Sequence, residues 1–328
     1  MAYKVKKIDV GQLGVEETQA LYAVDCSIVE KYNFLKQFRD VSDYKHSFLS
    51  TFLTGDHELF VIAHHSAICG MISFIKSADW SGKERYELTI RLCELVVSDS
   101  LLACLDQLVC EKLAQHGEFA LITFNHELEA LISKHTAKID QNANTYTLDK
   151  VDIDLNMLNE TIGECQAKNG DLEMIYTDLI SEEYIQQYCD LFMETMVYMP
   201  DRKEEGYVRY VITPEKQRQK NEEWAKMNQA HHCYLIFDGD EMIGKTNLSV
   251  DNNDPRFPYQ FMIGIKSEYR GRSLGKWLYA SMYKRLAENV AFEKVLIHHH
   301  PENKHAIAIS EWMGYKFKYV EVKHVLTS

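Results

Sequence analysis

One stretch of sequence decides the fold, and it reads Gln260-Phe261-Met262-Ile263-Gly264-Ile265-Lys266-Ser267-Glu268-Tyr269-Arg270-Gly271-Arg272-Ser273-Leu274-Gly275-Lys276. Its first residues are mostly apolar, as in a strand, and its middle is rich in glycine and arginine. Apolar residues then recur at helical spacing, at Leu274, Trp277, Leu278, Met282 and Leu286. The stretch therefore predicts a strand that runs through a short loop directly into an amphipathic helix.

Such a loop predicts an anion site. Backbone N–H groups point outward at the positive end of a helix, where a pyrophosphate binds readily. Gly271 and Gly275 allow the backbone to approach a ligand closely, and Arg270, Arg272 and Lys276 add positive charge. The loop is not a P-loop, because no Lys-Ser/Thr pair closes it. It also lacks the three-glycine spacing of the dinucleotide fingerprint.

The local charge supports an anion site. The chain has 328 residues with 36 Lys and Arg against 49 Asp and Glu, a net charge of −13. Residues 266–323 hold 11 Lys and Arg against 6 Asp and Glu, so their net charge is +5 and the remainder carries −18. A basic island in an acidic protein fits an anion site, and the alternative is a set of solvated helix ends. The acidic balance argues against a nucleic-acid partner.

The rest of the composition predicts an ordinary intracellular protein. The 8 cysteines are scattered without a C-x-x-C pair, so we expect reduced thiols and no metal site. No run of sequence approaches the roughly 20 apolar residues of a membrane span, and the first residues do not resemble a secretion signal. We expect a cytoplasmic monomer or homodimer without a membrane partner.

An internal repeat predicts two domains. Gly70 and Gly244 follow similar strand pairs and lie 174 positions apart. A helix beginning near Leu101 has the same apolar spacing as the helix beginning at Leu274, at an offset of 173. We therefore predict domains at residues 1–160 and 161–328. Each is of the α/β (α+β) class, with a mixed central sheet flanked by helices.

Two segments of the second half resemble a known superfamily. Arg270-Gly271-Arg272-Ser273-Leu274-Gly275 looks like the R/Q-x-x-G-x-G/A signature of the GNAT superfamily of acyl-CoA N-acyltransferases. Asn303-Lys304-His305-Ala306-Ile307-Ala308-Ile309, with Gly314-Tyr315 following, is similar to its N-x-x-A-I/M…G-F/Y helix. The resemblance covers residues 172–325, and it reaches the first half through element order and the repeat. The chain thus resembles a tandem GNAT protein with one working copy.

The resemblance implies acetyl-CoA (coenzyme A) as cofactor. The loop would hold the pyrophosphate, and the backbone of the preceding strand would pair with the pantetheine arm and donate an N–H to the thioester carbonyl. A glycine in this strand fits a bulge or a close ligand approach, or else it serves packing. The implied cofactor residues are Ile263, Gly264, Ile265, Arg270, Gly271, Arg272, Ser273, Leu274, Gly275, Lys276 and Asn303.

The chain departs from the family pattern at two positions. Ser273 stands at the middle glycine of the signature, where we expect a negative φ that a small residue tolerates. Ser310 stands where many members have the Tyr that protonates the leaving thiolate, which leaves the acid open. The strand carries no carboxylate base, so we predict that His299 is the base, and the alternative is that the three histidines at 298–300 are ordinary strand-end residues.

The first half lacks the cofactor loop. At the corresponding position it reads Val96-Val97-Ser98-Asp99-Ser100, without glycine or arginine, and the charge of Asp99 would repel a pyrophosphate. We therefore expect a degenerate copy that shapes the protein or its substrate pocket.

The predicted function is an N-acetyltransferase. It would move an acetyl group from acetyl-CoA directly to a primary amine of a small molecule, and the acidic remainder of the chain favours a cationic one. Glu194, Tyr198 and Asp251 are candidates for binding that amine. The alternative is a non-catalytic acyl-CoA-binding sensor, because the usual base and acid are missing. An acyltransferase that uses aminoacyl-tRNA is disfavoured by the charge and by the intact loop.

Overall fold

The computed structural model describes residues 3–32, 34, 38–53, 56–65, 67–78, 84–93, 97–198 and 211–328, and of residues 140–142 the backbone alone. The chain forms two compact units. The first unit is Met1–Ala143 with Lys318–Ser328, and the second unit is Asn144–Phe317. This division differs from the predicted one at 160/161. The last strand belongs to the first unit, and residues 144–160 belong to the second.

The strands of the described residues are β1 Lys4–Ile8, β2 Glu58–His64, β3 Ala67–Ala78, β4 Glu84–Leu92, β5 Glu118–Phe124, β6 Thr136–Asp149, β7 Glu173–Thr177, β8 Gln229–Asp238, β9 Glu241–Asp251, β10 Tyr259–Ile265, β11 Lys294–His299 and β12 Lys316–Thr327. The helices are α1 Val15–Tyr32, α2 Val41–Ser47, α3 Asp99–His116, α4 Glu129–Ile132, α5 Leu155–Lys168, α6 Ile185–Met196, α7 Pro214–Lys226, α8 Leu274–Asn289 and α9 Lys304–Met313. Each half thus repeats the same order of elements, as predicted. None of these helices is long and apolar enough to span a membrane.

The first unit contains one mixed sheet in the order β1-β2-β3-β4-β5-β12. Its neighbours are antiparallel except for the parallel pair β4 and β5. Helix α3 buries Leu105 and Val109 against Phe119 and Leu121 of β5. The C-terminal strand completes this sheet, with a register that places Leu326 opposite Phe119.

The second unit repeats this sheet, in the order β6-β11-β10-β9-β8-β7. Again one pair, β10 and β11, is parallel. Helices α5, α8 and α9 cover one side, which we call the α8 face, and α6 and α7 pack against the other, which we call the α6 face. Strand β6 comes from the end of the first half, so each set of six strands is completed by a strand from the other half of the chain. A mixed sheet flanked by helices is confirmed.

The two parallel strands of the second unit separate after their first residues. They share the register position Tyr259↔Leu296, while β10 stays paired with β9 as far as Ile265↔Gly244 and β11 stays paired with β6. We call the opening between them the gap. A β-bulge between Gln260 and Ile263 bends β10 at this point.

The buried side chain of Gln260 braces the bulge. Its amide nitrogen donates to Thr246 Oγ1 at 3.0 Å and to the Asn247 carbonyl at 2.9 Å, and its oxygen accepts from Tyr283 Oη at 3.1 Å. These bonds tie the bent strand to β9 and to α8. Hydrogen bonds of a buried side chain therefore stabilise the bend that opens the gap.

Candidate functional site

The loop predicted to bind an anion connects β10 to α8. A single 3-10 turn, Ser267–Tyr269, is followed by Arg270 in an extended conformation. Gly271 then has φ +80°, and a Cβ built there would meet open space, so backbone conformation rather than crowding requires glycine. Ser273 has φ +65°, in the left-handed region, where a negative φ was expected. The expectation is wrong because Ser273 turns the chain into the helix in the way that a glycine would.

The backbone N–H groups in the first turn of α8 have no side-chain cap from Ser273. The side chain of Ser273 makes no capping hydrogen bond, so the N-terminal N–H groups that every helix leaves unsatisfied have no cap from this residue. A Cβ on Gly275 would lie 2.9 Å from Ile309 Cδ1 of α9. Glycine here lets α8 approach α9 closely. The loop thus has the chemistry of an anion site.

The basic side chains of the loop are held in place. The Arg270 guanidinium lies over the ring of Tyr198 at 4.2 Å, and its Nε donates to the Ile265 carbonyl. The ammonium of Lys276 lies 4.7 Å from the centre of the Trp312 ring. These cation–π contacts keep two charges at the helix start.

Arg272 is tied to the C-terminal end of α5. Its Nε donates to Asn169 Oδ1 at 3.0 Å, and its Nη2 contacts both carboxylate oxygens of Asp171 at 3.3 Å. The buried amide of Asn169 in turn donates to the Arg272 carbonyl at 3.2 Å. The conformation of the loop is therefore set in part by the C-terminal end of α5.

Gly264 is explained by packing. A Cβ at this position would lie 2.9 Å from Thr195 Oγ1 and 3.0 Å from Thr195 Cγ2, so α6 approaches β10 too closely for any other residue. Ile263 and Ile265 pack their side chains with Trp277 of α8 on the opposite face. The backbone of all three residues lies along the gap. Asn303 caps α9, because its Oδ1 accepts from the Ala306 N–H at 3.3 Å.

His299, the predicted base, and Ser310, at the position of the family's acid, lie inside the core. His299 is buried on the α8 face, where its Nε2 is 2.8 Å from Ser310 Oγ, and Ser310 is wholly buried on α9. Burial, and secondarily the neighbouring His298, lowers the pKa of His299 to about 4. These contacts do not support the predicted role of His299 as base. Ser310, which stands where the family has a tyrosine, is the hydrogen-bond partner of His299.

His298 lies on the other side of the same strand, on the α6 face. A line of ring contacts runs from Trp224 on α7 through His231, Phe261 and Tyr259 to His298, with centroid distances of 3.7, 5.5, 4.8 and 5.5 Å. Tyr259 Oη is 3.2 Å from His298 Nδ1. The last three rings of this line are partly exposed. Strand alternation thus separates His298 from His299, the residue that the sequence favoured as base.

The three residues predicted to bind an amine do not come together. Tyr198 contacts Arg270 of the loop. Glu194, half-buried on α6, is close enough to Lys266 that its charge contributes, after that of Glu241, to raising the pKa of this lysine. Asp251 is exposed at the end of β9, where it accepts from the Asn253 N–H. The pairing of β9 with β10 puts Asp251 at the opposite end of β10 from the loop.

Sequence analysis missed a buried lysine next to Gly264. Lys245 of β9 is opposite Gly264 in the register, is wholly buried, and has no hydrogen-bond partner for its Nζ. Its ammonium lies 4.1 Å and 4.6 Å from the ring centres of Tyr188 and Phe192. Burial lowers the pKa of Lys245 to about 7. No periodicity in the sequence signals such a residue, because Lys is ordinarily exposed.

The first unit has different chemistry at the corresponding helix start. Ser98 Oγ accepts from the Leu101 N–H and caps α3, and Asp99 puts a negative charge in the first turn, while Val96 lies outside the described residues. This geometry agrees with the expected loss of the anion site. Elsewhere in this unit, ligand atoms of Asp106, Cys110 and His135 lie within 4.8 Å of one another, close enough for a metal ion, which the scattered cysteines had not suggested.

Comparisons with known proteins identify a family for part of the chain. Residues 189–315 match the model of the acetyltransferase (GNAT) family, which confirms the resemblance noted in the sequence. A comparison with curated proteins finds no match.

Three solved structures share the fold over 99% of this chain. They are a tandem GNAT protein from the clavulanic acid biosynthesis pathway (10% identity, 98% of that chain, TM-score 0.55), a GCN5-related N-acetyltransferase from Sphaerobacter thermophilus (9%, 95%, 0.59) and a GCN5-related glucosamine N-acetyltransferase region of a fungal multi-domain β-N-acetylglucosaminidase (11%, 38%, 0.57). At these identities the likeness shows the fold alone, which is that of tandem GNAT proteins.

Proposed function

We propose that this tandem GNAT protein transfers the acetyl group of acetyl-CoA directly to a primary amine of a small, cationic molecule. Acetyl-CoA is then the acyl donor and leaves as coenzyme A. The observation that carries the proposal is the cationic loop at the uncapped start of α8, which continues directly from the strand that borders the gap. An anion site beside an open strand edge fits a ligand with a pyrophosphate and an extended arm.

The loop residues fit the pyrophosphate. The N–H groups of Leu274, Gly275 and Lys276 belong to the first turn of α8 and point toward a ligand at its start. Arg270 and Arg272 flank them with donors that suit phosphate oxygens. Gly271, with its positive φ and open surroundings, leaves room for the ligand.

The gap fits the pantetheine arm. Because β10 and β11 share one register position, the backbone edge of Ile263, Gly264 and Ile265 on that side is available to an extended amide chain. An N–H of this edge would stabilise the oxyanion that forms when an amine attacks the thioester. The coenzyme A thiolate has an ordinary thiol pKa near 8.5, so its departure does not require an acid at Ser310.

The α6 face fits a cationic acceptor. The partly exposed rings of Tyr259 and Phe261 border the gap on this face, and aromatic faces attract ammonium groups. Glu194 lies near the loop end of β10 and adds negative charge there. Residues outside 266–323 carry −18 of formal charge, which attracts cations to the protein.

Calorimetry with acetyl-CoA tests the cofactor site. We expect the wild type to bind one acetyl-CoA per chain, and the variant Arg270→Gln, Lys276→Gln to bind at least about tenfold more weakly through the loss of two charge-assisted contacts. Lys284→Gln, which removes a half-buried charge from the same helix, is the matched control and should bind as the wild type does. Equal affinities for all three proteins, or two sites per chain, would contradict the proposal.

Thiol release with spermidine, kanamycin and L-lysine then tests the transfer. We expect release above hydrolysis with at least one of these amines. Binding of acetyl-CoA without amine-dependent release would instead favour the acyl-CoA sensor, which the burial of His299 and Ser310 keeps as the second candidate.

A further inference from the structure

Three partly exposed rings border the gap on the α6 face. Strand β11 alternates between partly exposed and buried residues, and Ile297 and His299 are buried on the α8 face. The partly exposed positions of β11, among them His298, lie on the α6 face together with the partly exposed Tyr259 and Phe261. Helices α8 and α9 cover the α8 face. An amine that contacts these three rings approaches the gap on the α6 face.

An amine that attacks a thioester has to lose a proton, and the acceptor has to lie on that same face. Strand β10 carries no Asp or Glu. Of the strand residues that border the gap on the α6 face, His298 and Tyr259 carry ionisable side chains. A neutral imidazole accepts a proton near neutral pH far more readily than a phenol does.

We propose that His298 is the proton acceptor for the attacking amine, and that Tyr259 is the positioning residue that orients its imidazole. This inference rests on the proposed function. The Nε2 atom of His298 is buried and has no hydrogen-bond partner, which is an unfavourable state that a bound amine would relieve. The other nitrogen, Nδ1, is 3.2 Å from Tyr259 Oη.

The proton balance of the step is simple. With its Nδ1–H donated to Tyr259 Oη, the imidazole has a lone pair on Nε2 that takes one proton from the amine as the new C–N bond forms. The C–S bond then breaks, and the proton passes from Nε2 to the thiolate, so His298 returns to its neutral state. The products are an amide and coenzyme A.

The surroundings of His298 keep it neutral before the reaction. Burial lowers its pKa below the ordinary value. Tyr259 faces it from β10, His299 follows it on its own strand, His300 lies just beyond the end of that strand, and β6 places the uncharged Thr145 opposite. None of these groups is a carboxylate that would hold the imidazole in its charged form.

Kinetics of histidine variants with acetyl-CoA and spermidine, kanamycin or L-lysine test the assignment. We expect His298→Gln to lower kcat by about 100-fold or more, while the KM and calorimetric affinity for acetyl-CoA stay at the wild-type values. In a plot of kcat against pH, the wild-type kcat should decrease at pH values below the pKa of His298. In His298→Gln this acidic decrease should be absent. Tyr259→Phe should shift the pH at which kcat decreases and should lower kcat by less than His298→Gln does. His300→Gln is the matched control.

The outcomes separate the two proposals. If His298→Gln turns over amines as fast as the wild type, or if only His299→Gln loses turnover, the inference is overturned and the proposed function stands. If the wild type binds acetyl-CoA but acylates none of the three amines, the proposed function is overturned and the inference with it.

Nuclear magnetic resonance of 15N-histidine protein gives a readout that does not depend on turnover. We expect the His298 resonances, identified by their loss in His298→Gln, to report the Nδ1–H tautomer at neutral pH, and Tyr259→Phe to alter it. The Nε2–H tautomer, or a charged ring at neutral pH, would refute the assignment.

Discussion

The buried Lys245 makes the stability of the second unit depend on pH. Its ammonium has two aromatic rings nearby and no hydrogen-bond partner. Burial lowers its pKa from 10.5 in a solvated chain to about 7 in the fold. Between these two values the unfolded chain binds the proton more tightly than the folded chain does, so the free energy of unfolding rises with pH across this range.

The size of the effect follows from the two pKa values. At 1.36 kcal/mol per unit, their difference corresponds to a penalty of about 5 kcal/mol, present in full below pH 7 and gone above pH 10.5. Methionine matches the length of the Lys245 side chain without its charge. We therefore expect Lys245→Met to raise the free energy of unfolding by several kcal/mol at pH 6 and to change it little at pH 10.5.

Urea unfolding at pH 6, 7.5, 9 and 10.5 measures this difference. Tryptophan fluorescence is a suitable signal, because the four tryptophans include Trp277 and Trp312 on the helices of the second unit. Lys284→Met, a half-buried lysine of the same unit, is the control and should show no such dependence on pH. If Lys245→Met destabilises the protein equally at every pH, Lys245 is charged throughout this range and is stabilised by the two neighbouring aromatic rings. That result would refute the lowered pKa.

Three further variants test the loop and the buried pair. Asp171→Asn should tighten acetyl-CoA binding about two- to fivefold in calorimetry, because the exposed carboxylate competes for Arg272, and weaker binding would show that it positions the arginine instead. Ser273→Gly should raise the free energy of unfolding by about 0.5–1 kcal/mol in urea, since it removes left-handed strain, and a loss of stability would contradict the observed φ. Ser310→Ala should cost about 1–3 kcal/mol of stability by leaving His299 Nε2 unpaired while kcat is kept, whereas a loss of kcat at full stability would indicate a catalytic role for Ser310.

The loop between β10 and α8 predicts an anion site from the sequence alone, because the features behind that prediction are local. A glycine with positive φ, arginines at the start of a helix and the apolar spacing after Leu274 act within a few residues of one another. The repeat was equally visible, since both halves carry the same order of strands and helices. The exchange of β6 and β12 between the two halves of the chain was not visible in the sequence. Strand pairing is a contact between distant residues, and the strands of both halves offer the same backbone groups.

The surroundings of the two histidines depend on packing. Alternation along β11 sends His298 and His299 to opposite faces. The packing of α8 and α9 decides which of the two is enclosed, and these helices bury His299 against Ser310. The residue predicted to be the base is therefore the one that the helices enclose.

The sequence by itself determined the fold class, the two-copy organisation and the run of glycine and basic residues at the start of α8, since each follows from periodicity or from the conformational limits of neighbouring residues. Only the tertiary structure decided the closing strand of each sheet, the packing requirement for Gly264, the burial of Lys245 and the enclosure of His299 by helices α8 and α9. Those properties depend on side chains that are far apart in the chain and meet when the helices pack on the sheet. No local pattern of residues encodes such a meeting.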